Sequence, residues 1–461
     1  MSRVRTFFEQ YIPFYKRNLK VALPIMFTQL GATLVGFFDT MMVGHFGTVD
    51  LAAVSLSNAI FFMVMVFAMG AIIGITPLIG FEVGKGKKEG VEDTRQIASY
   101  LLNGLIYTAI LSVVMVVLMV IVGMFFDKMG QDPQVIQTAG PYYTLIVISI
   151  VPFLFFFLLK QFLEGLGNTM VAMIISFGMN GLNILLNWVL IYGHWGFEPM
   201  GATGAGWATL ISRSLMPFCF LAAILLRKEW RCYITLFSCK LCQLKEIIKL
   251  HKVGFPIGGQ TFLETFLFTF AFILIGWINK ESLAAHQIAN QVVDINFMLA
   301  MGVGSATTIR VSHQLGAGDL PAVRMASNAS IHLCLVINTL AAIFMITCRN
   351  IIPLWFTNDP EVISIASSLI LIGGFLQYAD GLQAVGVGML RGITDVKISM
   401  VGALICYIII ALPLCYLLTF NANLGAKGMW IGFIVGLSLA AIFFHIRFRI
   451  KYKKMLNQNI N

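Results

Sequence analysis

The sequence predicts an all-α polytopic membrane protein: twelve transmembrane helices in two six-helix bundles related by a pseudo-twofold axis. Three observations carry this. The 461 residues are 58% hydrophobic and only 11% charged, with a mean hydropathy of +0.86, whereas a soluble domain carries roughly 25% charged residues. The apolar residues fall in long runs, each near the roughly 20 residues that cross a hydrocarbon core. The runs also repeat as two sets of six.

The twelve runs cover 19–43, 51–80, 97–126, 137–163, 169–192, 201–226, 253–278, 283–309, 325–347, 363–389, 398–419 and 425–446. They are continuous rather than alternating, so they read as helices and not as barrel strands. The first is too long for a signal-peptide core and is followed by no small-residue cleavage site, so it is expected to persist as helix 1. Pro24 and Pro256 occupy matching interiors of helices 1 and 7, where a proline bends a helix. Helix 6 opens on Gly201-Ala-Thr-Gly204-Ala-Gly206, which spells a dinucleotide fingerprint but follows no strand and so reads as close helix packing.

Self-comparison at an offset of 232 aligns Pro24 with Pro256, Leu51-Ala52-Ala53 with Leu283-Ala284-Ala285, Asn58 with Asn290, and Thr76 with Thr308. Beyond the third helix the offset becomes 227, aligning Asp132-Pro133 with Asp359-Pro360 and Gly165 with Gly392. Each repeat has an even number of helices, so both enter the membrane the same way round, about an axis along its normal. The expected organisation is 1–226 as one six-helix lobe, 227–252 as a basic cytoplasmic linker and 253–461 as the second lobe.

The chain has 31 Lys and Arg against 21 Asp and Glu, a net charge of +10. With the N-terminus inside, 26 of those 31 cations fall on cytoplasmic segments, from Arg3, Arg5 and Lys16 to Lys453 and Lys454. Topology alone explains this excess, so no nucleic-acid partner is expected. Both termini are placed in the cytoplasm of a bacterial-type inner membrane. Five of the eight cysteines lie within helices, and the single Cys239-x-x-Cys242 lacks a second pair for zinc. There is no G-x-x-x-x-G-K-[ST], so neither ATP nor a bound cofactor is expected, and the reading is transport rather than enzymatic catalysis.

An ionisable group deep in a membrane is costly enough to be a functional hypothesis by default. Glu264 lies roughly 18 Å past Lys252 and Asp380 roughly 16 Å before Arg391 at about 1.5 Å per residue, and Asp294 is equally central in helix 8. Polar partners recur at helical spacing: Gln260 with Glu264, then Gln287, Asn290 and Gln291 with Asp294, then Gln377 and Gln383 around Asp380, with Tyr378 beside them. Such faces line a cavity or pack together; they do not face lipid. The counterparts of Glu264, Asp294 and Asp380 in the first repeat are Ala32, Phe62 and Phe153, so the cation chemistry is expected in the second. The first repeat offers Asp39 in outer helix 1 and the amide stripe Asn180, Asn183 and Asn187 on helix 5. Arg213 in helix 6 needs a partner the sequence does not identify.

Carboxylates in a low-dielectric cavity hold one proton, one Na+ or one organic cation, and accommodate them poorly together. Competition for that charge is the physical core of antiport. Abundant Phe and Met suit flat aromatic cations.

The stretch Phe38-Asp39-Thr40-Met41-Met42-Val43-Gly44 resembles the helix 1 signature of the multidrug and toxic compound extrusion (MATE) family. Ala284-Ala285-His286-Gln287-Ile288 and Thr307-Thr308-Ile309-Arg310-Val311 resemble its helix 8, while Gln377-Tyr378-Ala379-Asp380 and Leu390-Arg391-Gly392 resemble its helix 10. Glu264 together with Asp380 points to the NorM-like branch. The resemblance implies a V-shaped pair of six-helix lobes that exports cationic drugs or dyes in exchange for Na+ or H+; a monomer is expected, although the sequence does not fix the oligomeric state. The resemblance places cation coupling at Glu264, Asp380 and Asp39, with Na+ at Glu264 and Asp380, Gln287 in the cavity, and Asn183 and Asn187 as the helix 5 amides. Leu376 stands where some members have an aromatic ring, and Asp294 lies outside the family pattern, where it would add charge to the cavity. The alternatives are a flippase of lipid-linked intermediates, which calls for a cation-rich cavity, and a passive channel.

Overall fold

The computed structural model describes residues 2–91, 93–128 and 132–460, without the side chains of 2–8, 127, 459 and 460. Arg3 and Arg5 therefore lie outside the described side chains. Among the described residues, twelve helices are long and apolar enough to cross a membrane: α1 Glu9–Phe46, α2 Thr48–Glu89, α3 Thr94–Gly123, α4 Pro133–Gly165, α5 Thr169–Tyr192 and α6 Gly201–Leu226, then α7 Leu244–Gly276, α8 Lys280–Gly316, α9 Leu320–Cys348, α10 Pro360–Gly392, α11 Val396–Asn421 and α12 Ala426–Gln458. No strand occurs among the described residues. In lipid each backbone N–H and C=O must be satisfied within its own segment, which is why runs of this length become helices.

The boundaries follow capping chemistry. Asp132 and Asp359, equivalent by the repeat, cap α4 and α10 by accepting from Gln134 N at 2.8 Å and Glu361 N at 2.9 Å, each followed by a proline in the first turn. That proline lacks only an N–H the first turn would leave unused. Asp93, Asn168, Asn279 and Asp319 cap α3, α5, α8 and α9 in the same manner. α4 breaks at Ser149, three residues before Pro152, whose missing N–H deprives the preceding turn of a hydrogen bond. α11 widens into π-helical turns over Leu404–Ala411 and Leu417–Asn421.

Two compact units emerge. One comprises Met1–Met26, Val83–Val91 and Gly259–Asn461, the other Phe27–Glu82 and Glu92–Gly258. Their boundaries after Met26 and Gly258 are 232 residues apart, the offset of the repeat. The expected division at 226 and 253 thus differs at the first helix of each repeat: the start of α1 belongs with the second repeat, and the start of α7 with the first. The cause lies in equivalent contacts. Met26 on α1 meets Gly302 of α8, while Gly258 on α7 meets the Phe67 carbonyl of α2. A side chain at Gly254 would strike the Ala71 carbonyl, so α7 approaches α2 backbone to backbone.

The repeat extends to single hydrogen bonds. The Thr76 hydroxyl donates to the side-chain oxygen of Gln161 at 2.8 Å and stands 3.3 Å from its backbone carbonyl, and its counterpart Thr308 donates to the backbone carbonyl of Gly388, the residue equivalent to Gln161, at 3.1 Å. In the 227–252 linker, Lys228–Thr235 is helical and α7 begins at Leu244. Asn103 of α3 fastens the linker, donating to the Leu241 carbonyl at 2.8 Å and accepting from Gln243 N at 3.0 Å. Lys160, expected on a cytoplasmic segment, is buried within α4 and paired with Glu164 at 3.7 Å.

Candidate functional site

Seven acids have partners that serve the fold. Asp93, Asp132, Asp319 and Asp359 cap helices, Asp50 accepts from Ala202 N at 2.7 Å, Asp395 pairs with Arg447 at 2.7 Å and Glu164 pairs with Lys160. Asp39, Glu264, Asp294 and Asp380 do none of these jobs. They are the acids singled out from the sequence.

Three of them meet in the unit that holds Gly259–Asn461. Glu264 on α7 and Asp294 on α8 are the charged neighbours of Asp380 on α10. Asp380 is buried, with 2% exposure. Three oxygens here, Glu264 Oε1, Asp380 Oδ1 and Gln383 Oε1, are buried without a hydrogen-bond partner. The Gln383 amide donates to the Tyr407 hydroxyl at 2.6 Å, and Tyr407 sits in the first π-helical stretch of α11. A buried oxygen without a donor costs about 1–3 kcal/mol. A proton or a cation supplies what such oxygens lack; no group of three or more His, Cys, Asp or Glu side chains placed to hold a metal ion occurs among the described residues.

Sequence reasoning misses Arg391 as part of this group, because it reads there as a loop cation. It is buried near the end of α10, reaches Thr261 at 3.3 Å and Gln260 at 3.5 Å, and is the cation nearest in charge to Glu264. Tyr407 is missed as well; the signal available is a hydroxyl in the middle of an apolar helix, at the position equivalent to Asn180.

The remaining candidates divide. Gln287 is exposed, and Asn290 donates to Asp294 at 2.9 Å, holding that carboxylate on the same helix face. Gln260 is 1% exposed and joins Arg391 to Ser399. Gln377 is fully buried between helices: it accepts from Asn296 of α8, its carbonyl accepts from Asn338 of α9 at 2.8 Å, and Asn296 donates to Asn338 at 3.1 Å. Gln260 and Gln377 therefore join helices rather than line open space. Tyr378 donates to Thr339 of α9 at 3.1 Å.

In the other unit Asp39 accepts from Asn187 Nδ2. Asn187 also donates to Asn183 Oδ1 at 3.4 Å, and Asn183 donates to Ser212 at 3.0 Å, so two of the α5 amides run as a chain from α1 to α6. Asn180 borders Gly31 of α1 instead. Arg213 lies between the rings of Phe61 and Phe153, 4.7 and 4.8 Å from their centroids, and donates to Ser149 at 2.9 Å where α4 breaks. It also interacts electrostatically with Asp39 and Tyr142.

Comparison with known proteins agrees over the whole chain. The MatE family model matches residues 24–189 and 256–417, one copy per repeat. The chain is 33% identical over 438 residues to the multidrug resistance protein NorM of Photobacterium profundum, covering 94% of this chain and 95% of that one. It is 31% identical over 448 residues to a probable multidrug resistance protein NorM of Geobacillus kaustophilus, covering 95% and 96%. Among solved structures, the eukaryotic MATE transporter AtDTX14 superimposes with a TM-score of 0.84 at 19% identity, covering 97% and 99%. A MOP superfamily transporter from Pyrococcus furiosus superimposes with a TM-score of 0.84 at 21% identity, covering 96% of each chain.

Proposed function

Because the chain belongs to the MATE family of membrane transporters, we propose that it is a multidrug efflux antiporter that exports organic cations, aromatic drugs and dyes among them, in exchange for Na+ or H+. The observation that carries this is the cradle of Glu264, Asp380 and Gln383, with buried oxygens that lack donors. The names of the NorM relatives support the drug-export part. The location is a bacterial-type inner membrane with both termini cytoplasmic.

The mechanism follows from competition. An inward-moving Na+ or H+ satisfies the unpartnered oxygens and cancels the negative charge that holds an organic cation. The cation then leaves to the outside, and release of the ion to the cytoplasm restores the charge. Each ligand biases alternating access only by its differential affinity for the two states. If two monovalent ions replace one monovalent drug, one net charge moves inward per cycle; at 100 mV that supplies about 2.3 kcal/mol, which sustains roughly a fifty-fold drug gradient. Arg213, already engaged by two rings and a hydroxyl, argues against a flippase that would need a free cation for phosphate.

Dye efflux from membrane vesicles under an imposed Na+ or proton gradient tests the reading. Glu264→Gln and Asp380→Asn are each expected to lower gradient-driven efflux at least tenfold while leaving expression and folding intact. Efflux in both variants equal to that of the unmodified protein would refute the cradle, and efflux indifferent to either gradient would refute antiport.

A further inference from the structure

α9 and α12 both pack on α10 without forming an extensive interface with each other, and a cavity of about 580 Å³ opens between them. Its floor is Met389 of α10 with Phe448 of α12. One wall carries cations, Arg324 from the start of α9 and Arg449 and Lys453 from the end of α12. None of the three has an ion-pair partner among the described residues. Arg447, just before them on α12, is neutralised by Asp395 and does not line the cavity. Asp319, the acid beside Tyr452, is occupied as the cap of α9.

The same face of α12 also carries apolar side chains. Ile446 and Ile450 of α12 are 52% and 56% exposed, and Ile446 stands one turn on the membrane side of the cations. His445 also lines the cavity; its Nδ1 donates to the Ala441 carbonyl at 2.8 Å, and its Nε2 is buried without a partner. Arg449 lies roughly 35 Å along α12 from Ala426 at about 1.5 Å per residue, just beyond a hydrocarbon core of about 30 Å. Arg324, near the start of the antiparallel α9, stands at the same level. The cavity therefore has positive charge without an ion-pair partner at headgroup depth, and deeper apolar side chains in Ile446 of α12, one turn in, and Ile331 of α9, about two turns in from Arg324.

We propose that this groove binds an anionic phospholipid, with the phosphodiester on Arg324, Arg449 and Lys453 and the first acyl carbons along Ile446 and Ile331. The apolar side chains select a lipid over a free phosphate ion, and, on the reading that both termini are cytoplasmic, the leaflet beside the basic ends of α9 and α12 is the one that concentrates anionic lipid. The site stands apart from the carboxylate cradle and is read without transport.

The full-length protein, purified in detergent, would be examined by native mass spectrometry and thermal unfolding with phosphatidylglycerol, phosphatidylcholine and inorganic phosphate. Arg324→Gln/Arg449→Gln is expected to weaken phosphatidylglycerol binding at least tenfold. Lys451→Gln/Lys454→Gln, which removes the same charge beside the groove, should weaken it less than twofold, and phosphatidylcholine binding should be unchanged in both. Equal losses in the two double variants would overturn the site, leaving only a general attraction of basic ends for acidic lipid. Inorganic phosphate stabilising the unmodified protein as much as phosphatidylglycerol does would overturn the lipid assignment.

Discussion

Phe153 and Asp380 occupy equivalent positions in the two repeats, yet one is a ring that holds the Arg213 guanidinium and the other a carboxylate among carboxylates. Duplication kept the backbone and reversed the charge around one position. That reversal makes Asp294 informative, because it is the added acid. At an effective dielectric near 20, losing a unit charge about 8 Å from a bound cation costs roughly 2 kcal/mol per ligand charge. Asp294→Asn should therefore reduce export of a dication by about tenfold or more beyond its effect on a monocation, measured as paired efflux rates; equal losses would show that Asp294 adds no charge to the cavity. The buried amides behave differently. Gln377→Leu removes the side-chain oxygen that accepts from Asn296 while leaving the carbonyl that Asn338 uses, and should cost about 1–3 kcal/mol, seen as a lower unfolding temperature, whereas Gln287→Ala at an exposed position should leave stability within about 0.5 kcal/mol.

Among the elements, the crossing of α8 and α10 brings two backbones into direct contact, and the bond from Thr308 depends on it. A side chain at Gly388 would meet the Gly304 carbonyl rather than a flexible neighbour. Gly388→Val should therefore destabilise the fold by at least the roughly 1–3 kcal/mol usual for overpacking, while Gly36→Val, where nothing stands within 4 Å, should be tolerated; thermal unfolding of the two variants compares them directly. The helices are legible in the sequence because their length and hydropathy are one-dimensional properties. Partners are not. Asn296 falls off the polar face of helix 8, and nothing local says that it meets Asn338 and Gln377. Arg391 reads as a loop cation because hydropathy places a helix end wherever charge begins, and the protein instead buries that charge beside Glu264. The acids themselves are legible, since their cost in a membrane does not depend on knowing the neighbour.

For the molecule as a whole, the exchanged starts of α1 and α7 bear on how the protein is made. The unit formed mainly by the first repeat includes 244–258, and the unit formed mainly by the second includes the chain up to Met26. The first repeat thus leaves the biosynthetic machinery with a vacant berth against Gly254 and Gly258, filled only once translation has passed the linker. Until then α2 exposes the backbone around Phe67 and Ala71 that α7 will cover. A chain divided between Ser238 and Cys239 should consequently yield fragments that are degraded when produced singly and stable when co-expressed, followed by pulse-chase labelling in cells. Fragments equally long-lived alone and together would mean that each repeat completes itself. The exchange leaves neither repeat complete by itself: each unit closes only when the opening stretch of the other repeat has been made.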